Sequence, residues 1–314
     1  MPATLVLLAL LITGCASHSP WPAQFPATGQ APVLVANVPF HPQERYQCGP
    51  AALAMMLNAQ GIAADPDDLV ERVYIPQRQG SLQVEMVAVA RQFGLLAYPL
   101  EPELTAVLTE LEAGHPVLVL QNLRFDWWPQ WHFAVVIGYD ARQQELILHS
   151  GTQAFYRQSV RAFRNSWARA GHWARTLLPP EQLPATAEPL PFLTAANDLE
   201  LTNQLDAAAS AYRVAAERWP DQPAALLGLG NVAWQQQRWH QAGEHYLALT
   251  TRFPQLAAGW NNLAEALAKQ NCPVSASTAA SCAHQLQPSR FPGPSSSTLQ
   301  TESLECPQIQ CPEL

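Results

Sequence analysis

The sequence predicts an α+β domain followed by an all-α domain of repeated helix pairs, and three observations carry that reading. From Val38 to about Leu178, apolar runs at helical spacing give way to short apolar strands. Prolines at 179, 180, 184, 189 and 191 then interrupt the chain. Beyond them, like residues recur with a period of 34: Pro220, Pro254 and Pro288; Tyr212 and Tyr246; Ala208, Ala242 and Ala276; Leu229 and Leu263.

Composition bounds the function. A chain of 314 residues has room for about two domains. The apolar fraction of 48% is that of a globular protein, while 28 prolines and 13% charge point to proline-rich connectors around packed parts. A net charge of -8, from 17 Lys and Arg against 25 Asp and Glu, leaves no broad basic face to release counterions from phosphates, so nucleic acid is not expected as a partner. The sequence carries no phosphate-cradling loop and no convincing metal site, and no cofactor is expected.

At the N-terminus, the apolar run Leu5 to Ile12 is too short to span a bilayer as a mature helix. It leads into Leu11-Ile-Thr-Gly-Cys15, which resembles the bacterial lipobox. The resemblance implies a signal peptide over 1–14 and a lipid anchor on Cys15, with an ordinary cleaved signal or a chance cysteine as the plain alternatives. Ala16 after the cysteine implies, by analogy, the inner leaflet of an outer membrane, with the protein facing the periplasm. Residues 15–37, rich in Pro, Ala, Ser and Gly, are expected to tether the membrane anchor to the first domain.

The first domain is expected over 38–178. Gly49 to Ala59 is apolar nearly all round, the pattern of a helix buried on most sides. Leu82, Met86, Val89 and Phe93 mark a second helix ending before Gly94, and Leu104 to Ala113 a third ending before Gly114. Strands follow at Leu95 to Leu100 and Pro116 to Gln121, then a hairpin from His132 to Ser150 around the polar turn Asp140 to Gln144. Leading helices packed on an antiparallel sheet, followed by a Pro-rich linker over 179–192, complete this half.

The chemistry centres on Cys48. In Gln43-Glu-Arg-Tyr-Gln-Cys48-Gly-Pro50 a thiol stands where a helix begins. The unsatisfied N–H groups and positive dipole end of a helix N-terminus lower a thiol pKa. Pro50 suits a first turn because it has no N–H to lose, and Gly49 lets backbone approach closely. A buried structural thiol is the bland alternative. A nucleophile also needs a base in reach. Of the nine histidines, His132 is the best placed, opening the strand His132-Phe-Ala-Val-Val-Ile-Gly-Tyr139.

Gln43, Cys48-Gly-Pro-Ala-Ala-Leu53, Gly80-Ser81-Leu82 with Phe93-Gly94-Leu95, and the His132 to Asp140 strand together resemble the bacteriocin-processing cysteine peptidase family, of papain-like fold. The resemblance covers about residues 38–178. It implies that Cys48 is the nucleophile, that His132 is the general base and acid, and that Gln43 donates to the oxyanion with the Cys48 N–H. The family orients its histidine with an acidic or amide residue at the end of the next strand, where this chain reads Ile147-Leu-His149-Ser150-Gly151 and has no carboxylate. Ser150, a water, or His149 through a neutral nitrogen is left for that role, Asp140 being too near the hairpin tip. Just ahead of His132, Phe125-Asp-Trp-Trp-Pro-Gln-Trp131 either walls a groove for an extended peptide or anchors a loop onto the core.

The 34-residue period, with Gly228-Leu-Gly230, resembles tetratricopeptide repeats, which implies three helix-turn-helix units over 193–289 presenting a concave face to a protein partner. The first unit lacks the usual aromatic and glycine pattern, and Cys272-Pro273 is expected to interrupt the third. Cys272, Cys282, Cys306 and Cys311 allow three disulfide pairings, of which Cys272 with Cys282 and Cys306 with Cys311 need the shortest closures, and zinc is a weaker alternative. Cys48 is then the odd thiol. The Ser-, Pro- and Gln-biased tail over 290–314 is expected to be disordered apart from any local disulfide.

The leading expectation is a lipid-anchored cysteine peptidase acting on an exported protein or peptide, with the repeats recruiting substrate. The alternatives are an endopeptidase of cell-wall peptide and a non-catalytic adaptor that grips an extended peptide.

Overall fold

Side-chain alternation along one long strand lays out the first domain. In β6 (Trp131–Asp140), Phe133, Val135 and Ile137 enter one buried cluster while Ala134 and Val136 enter another. The computed structural model describes residues 21–25, 31–42, 48–78, 80–294 and 306–313. Strand β6 lies within an antiparallel sheet ordered β4 (Leu96–Pro99), β9 (Ala174–Leu178), β5 (Val117–Asn122), β6, β7 (Glu145–Ser150), β8 (Gln153–Ser159). A two-residue strand, β1 (Val33–Leu34), pairs with β6 beyond the end of β5.

Helices cover both faces. On the face of Phe133 lie α1 (Cys48–Ala59), α2 (Pro66–Val73) and α3 (Gln83–Gln92). The other face carries α4 (Leu104–Glu112) and α5 (Val160–Ala168). Helix α1 is buried from Gly49 to Leu57, as its all-round apolar pattern predicts. Gly94 and Gly114 end their helices with φ of +75° and +83°. Four of the longer elements escaped the sequence reading: α2, capped by Asp65; the edge strand β8; α5; and β9, which inserts between β4 and β5.

The tether prediction gives way wherever the segment is described. Trp21 and Phe25 are buried against Tyr139, with ring centroids 5.6 and 6.0 Å away, and Val35 N–H donates to Ile137 O. Those aromatic rings bury apolar area that a solvated tether would leave in water. Cys15 and the signal segment lie outside the described residues.

Nor is the proline-rich stretch a free linker. Glu110, fully buried, accepts the Ala185 and Thr186 N–H groups at 3.2 and 2.8 Å and the Thr186 hydroxyl at 2.6 Å. His115 Nδ1 lies 2.6 Å from the same carboxylate, and Gln182 Nε2 donates to His115 Nε2 at 2.7 Å. Tyr98 O–H donates to Thr186 O and its oxygen accepts the Glu188 N–H. Prolines lack donors, and the N–H groups of Ala185, Thr186 and Glu188 between them are taken by side chains of the first domain. One hydrophobic cluster accordingly runs from the sheet into the first repeat, and Arg91 pairs with Asp198 across the boundary.

Three antiparallel helix pairs follow: α6 (Pro189–Leu201) with α7 (Leu205–Arg218), α8 (Pro223–Gln235) with α9 (Trp239–Arg252), and α10 (Ala257–Lys269) with α11 (Pro273–Leu286). The Gly228 and Gly230 of the motif are required. A Cβ on Gly228 would lie 2.3 Å from the Tyr212 ring, and one on Gly230 would lie 2.2 Å from Tyr246. Cys272-Pro273 does not interrupt the third unit: Cys272 is the cap of α11 and Pro273 its first residue, where a missing N–H costs nothing.

The disulfides pair Cys272 with Cys306 and Cys282 with Cys311, so the shortest-closure pairing does not form and the four thiols are not free for zinc. The expectation of a disordered tail fails over 306–313. Those residues lie along α11, with Cys306, Ile309 and Cys311 against the last buried cluster and the Ser275 hydroxyl donating to Pro307 O at 2.8 Å. The terminal helix of a solenoid has no following repeat to cover it, and this segment does so. Among the described residues, no helix is long and apolar enough to cross a membrane.

Candidate active site

Cys48 is the first residue of α1, and the structure explains why glycine must follow it. The two-stranded hairpin of β2 (Tyr74–Ile75) and β3 (Gly80–Ser81) leans on the first turn of the helix. A Cβ on Gly49 would lie 2.1 Å from Ser81 Oγ and 2.5 Å from Ser81 Cβ. Backbone and hairpin can approach only at a residue with no side chain. The Ser81 hydroxyl is buried there with no hydrogen-bond partner among the described residues.

The Phe133 N–H, which belongs to the peptide unit joining His132 to Phe133, is among the backbone amides that act on the Cys48 thiol and draw its pKa down. Helix α1 thereby delivers the thiol to the main chain of β6 beside the histidine. Burial pushes the Cys48 pKa up, and the Phe133, Gly49 and Cys48 N–H groups, which pull it down, do not offset it. The sequence expectation of a thiol activated at rest by its helix end is corrected here: desolvation outweighs the amides and dipole.

His132 Nε2 lies 2.8 Å from Ser150 Oγ. Alternation puts these two residues on the same face of the sheet and His149 on the other. His149 is no orienter: its Nε2 lies 3.1 Å from Val38 O, and its Nδ1 accepts the Phe155 N–H at 3.3 Å. Asp140 sits at the far end of β6, where its carboxylate binds the Arg142 and Gln143 N–H groups and the Arg157 guanidinium. Burial brings the His132 pKa down to about 4, so the ring is neutral near pH 7. With Nε2 engaged by Ser150, Nδ1 is the nitrogen available to a thiol. Gln43 lies outside the described residues.

A carboxylate only accepts, and so holds Nε2–H and leaves Nδ1 bare as a base. A serine hydroxyl donates or accepts equally well, so Ser150 positions the ring without selecting its tautomer. The arrangement is a half-buried thiol and a neutral imidazole near one peptide unit, with a weaker third group than a carboxylate on the imidazole.

The aromatic run ahead of His132 does not anchor a loop in the core. Phe125, Trp127, Trp128 and Trp131 are 62%, 77%, 62% and 53% exposed. Sequence reasoning weighed core and groove evenly because three tryptophans in five residues are costly to leave in water.

Residues 35–174 match the Peptidase_C39 like family, and residues 193–257 and 230–276 match the tetratricopeptide repeat. The chain joins a Peptidase_C39-like domain to tetratricopeptide repeats. Comparison with curated proteins finds no match. Among solved structures, the C39-like domain is similar to a protein described as a C39-like peptidase from Bacillus anthracis (18% identity, TM-score 0.40, covering 48% of this chain and 98% of that one). It is similar also to a double glycine motif protease from an AMS/PCAT transporter, solved with its leader peptide (21%, 0.35, 48% and 97%). A third is the peptidase domain of Streptococcus ComA, a bi-functional ABC transporter (21%, 0.37, 45% and 98%). Among the described residues of the C39-like domain and the repeats, no three of His, Cys, Asp and Glu lie together as metal ligands.

Proposed function

We propose that the protein is a cysteine peptidase, with Cys48 the nucleophile, His132 the general base and acid, and Ser150 the group that positions His132. The observation that carries the reading is the Cys48 thiol under the pull of the Phe133 N–H, one residue along from His132, while Ser150 holds Nε2 of the ring. The reaction starts from a neutral pair. His132 Nδ1 takes the thiol proton as sulfur attacks the peptide carbonyl, and the imidazolium then protonates the leaving amine. Water attacks the thioester carbon, giving its proton to His132 and releasing the acid and the free thiol. The Cys48 N–H stabilises the oxyanion together with Gln43, the role that the sequence resemblance implies for it. The repeats recruit a polypeptide partner. Export with a lipid anchor on Cys15, and an outer-membrane position facing the periplasm, belong to the same proposal, which the two disulfides support.

Ser150 in place of a carboxylate favours a second reading, a peptide-gripping adaptor that does not cleave. One experiment separates the two. Iodoacetamide labelling of Cys48, followed by peptide mass mapping, is compared between the wild-type chain and His132→Ala at pH 7. A base acting on the thiol makes labelling at least about tenfold slower in His132→Ala; equal rates overturn the peptidase and leave the adaptor.

A further inference from the structure

The loop between β5 and β6 is tightly built while its rings are left in water. Asn122, buried at the end of β5, accepts the Arg124 and Gln130 N–H groups through Oδ1 at 3.1 and 3.0 Å. Leu123 N–H donates to Gln130 O at 2.9 Å, Trp128 N–H to Phe125 O at 3.2 Å, and Arg124 Nε to Gln130 Oε1 at 2.9 Å. Arg169, the cap that follows α5, closes the base by donating twice to Asn122 O. The Phe125 and Trp127 rings stack with centroids 5.5 Å apart at an interplanar angle of 8°, and Trp128 meets Trp127 edge-on at 6.1 Å. A loop that satisfies its own polar groups and turns four aromatic rings outward spends little conformational entropy when those rings are covered.

The platform adjoins the helix that carries the thiol, because alternation along β6 puts Trp131 on the face of Phe133, the face that α1 covers. Its occupant has to be apolar to cover those rings. Two kinds of surface meet that requirement, a bilayer and a polypeptide, and the neighbouring thiol site favours the polypeptide. The loop also carries both Arg124 and Asp126, a mixed rim suited to peptide more than to lipid headgroups.

We propose that Phe125, Trp127, Trp128 and Trp131 form a preorganised docking platform for an extended polypeptide bearing a large aliphatic or aromatic side chain, seated beside the Cys48–His132 site. This rests on the reading of that site as the place where substrate binds, and it names the substrate class: polypeptides with a bulky apolar residue close to the bond presented to Cys48. Peptides of glycine and serine alone leave the rings bare and bind weakly.

The test uses the full chain with Cys48→Ala, so that binding is read without chemistry. Acetylated hexapeptides of Gly and Ser, with or without one Leu or Phe, are titrated against protein labelled with 5-fluorotryptophan. The resonances of Trp127, Trp128 and Trp131 are assigned by Trp→Phe variants. The expected result is that Leu and Phe peptides shift these three resonances and bind at least about tenfold tighter than the Gly/Ser peptide, and that Trp127→Ala or Trp131→Ala removes the difference. Both variants should melt with the parent protein, since the rings are exposed. Equal binding of all peptides, or a preference that survives both Trp→Ala changes, overturns the platform. Resonances that answer phosphatidylethanolamine/phosphatidylglycerol vesicles and not the peptides assign the loop to a membrane and overturn it as well. The labelling comparison with His132→Ala bears on catalysis alone, so loss of either conclusion is read separately.

Discussion

His132 Nε2 stands 2.8 Å from the hydroxyl of Ser150, a partner that positions the imidazole without fixing which nitrogen carries the proton. Replacing Ser150 with Asp supplies an acceptor of fixed sense and a negative charge. The His132 pKa, about 4 in the native chain through burial, is expected to rise into the range of about 5–7, and Cys48 labelling at pH 7 to speed up. Imidazole resonances followed against pH would show this; a His132 pKa that stays near 4 in Ser150→Asp means the two side chains are not coupled.

The same depressed pKa has a consequence for stability. Below about 6.5 the unfolded chain takes up a proton at His132 that the folded chain refuses down to about 4. Stability from this group is therefore full above about pH 6.5 and falls as pH drops toward 4. Urea unfolding of the native chain and His132→Gln at pH 7.5 and pH 5 is expected to show a smaller loss on acidification in the variant.

Gly49 and Ser81 form a close-approach pair that a double-mutant cycle can isolate. Gly49→Ala alone is expected to push the hairpin off α1, lowering the melting temperature and slowing Cys48 labelling. Ser81→Gly removes both atoms that the new methyl meets most closely, so the double variant should recover most of the loss. Absence of recovery means that some other contact dictates glycine.

Glu110 holds the connector to the first domain. Burial pushes its pKa up, but hydrogen bonds from His115, Thr186 and Ala185 outweigh that and hold it below the usual carboxylate range. Glu110→Ala is expected to cost about 3–5 kcal/mol by leaving buried donors unpaired. Its contribution is present above the usual carboxylate pKa and is lost as pH falls through the lower folded value. Calorimetry reads the loss, and protease cleavage within 179–188 should appear in the variant and not in the native chain.

Non-reducing peptide maps are expected to recover Cys272 joined to Cys306 and Cys282 joined to Cys311. Replacing Cys272 and Cys306 together with Ser should cost about 2–5 kcal/mol in the repeat domain. A map linking Cys272 to Cys282 contradicts the packing of residues 306–313 along α11.

Local pattern and period carry what the sequence by itself determined. The all-round apolar run after Cys48 forms the buried helix, the glycines at 94 and 114 end theirs, and the spacing of Tyr212 and Tyr246 marks helix pairs whose tyrosines fill the space that Gly228 and Gly230 leave. Ser150 stood with His149 and a water among the groups left for positioning His132, and only the folded sheet puts its hydroxyl 2.8 Å from the ring and turns His149 to the other face. Tertiary structure alone decided the rest, since each remaining feature depends on groups distant in sequence. Trp21 is buried where it meets Tyr139, and the connector is held where Glu110 receives the Ala185 and Thr186 N–H groups. Cys272 reaches Cys306 because the C-terminal segment returns along α11. Composition shows that prolines and small residues disfavour regular structure; it does not show whether another element satisfies the backbone they leave open. The thiol makes the same point: its helix end is legible locally, but the desolvation that outweighs it arises from the sheet packed around it.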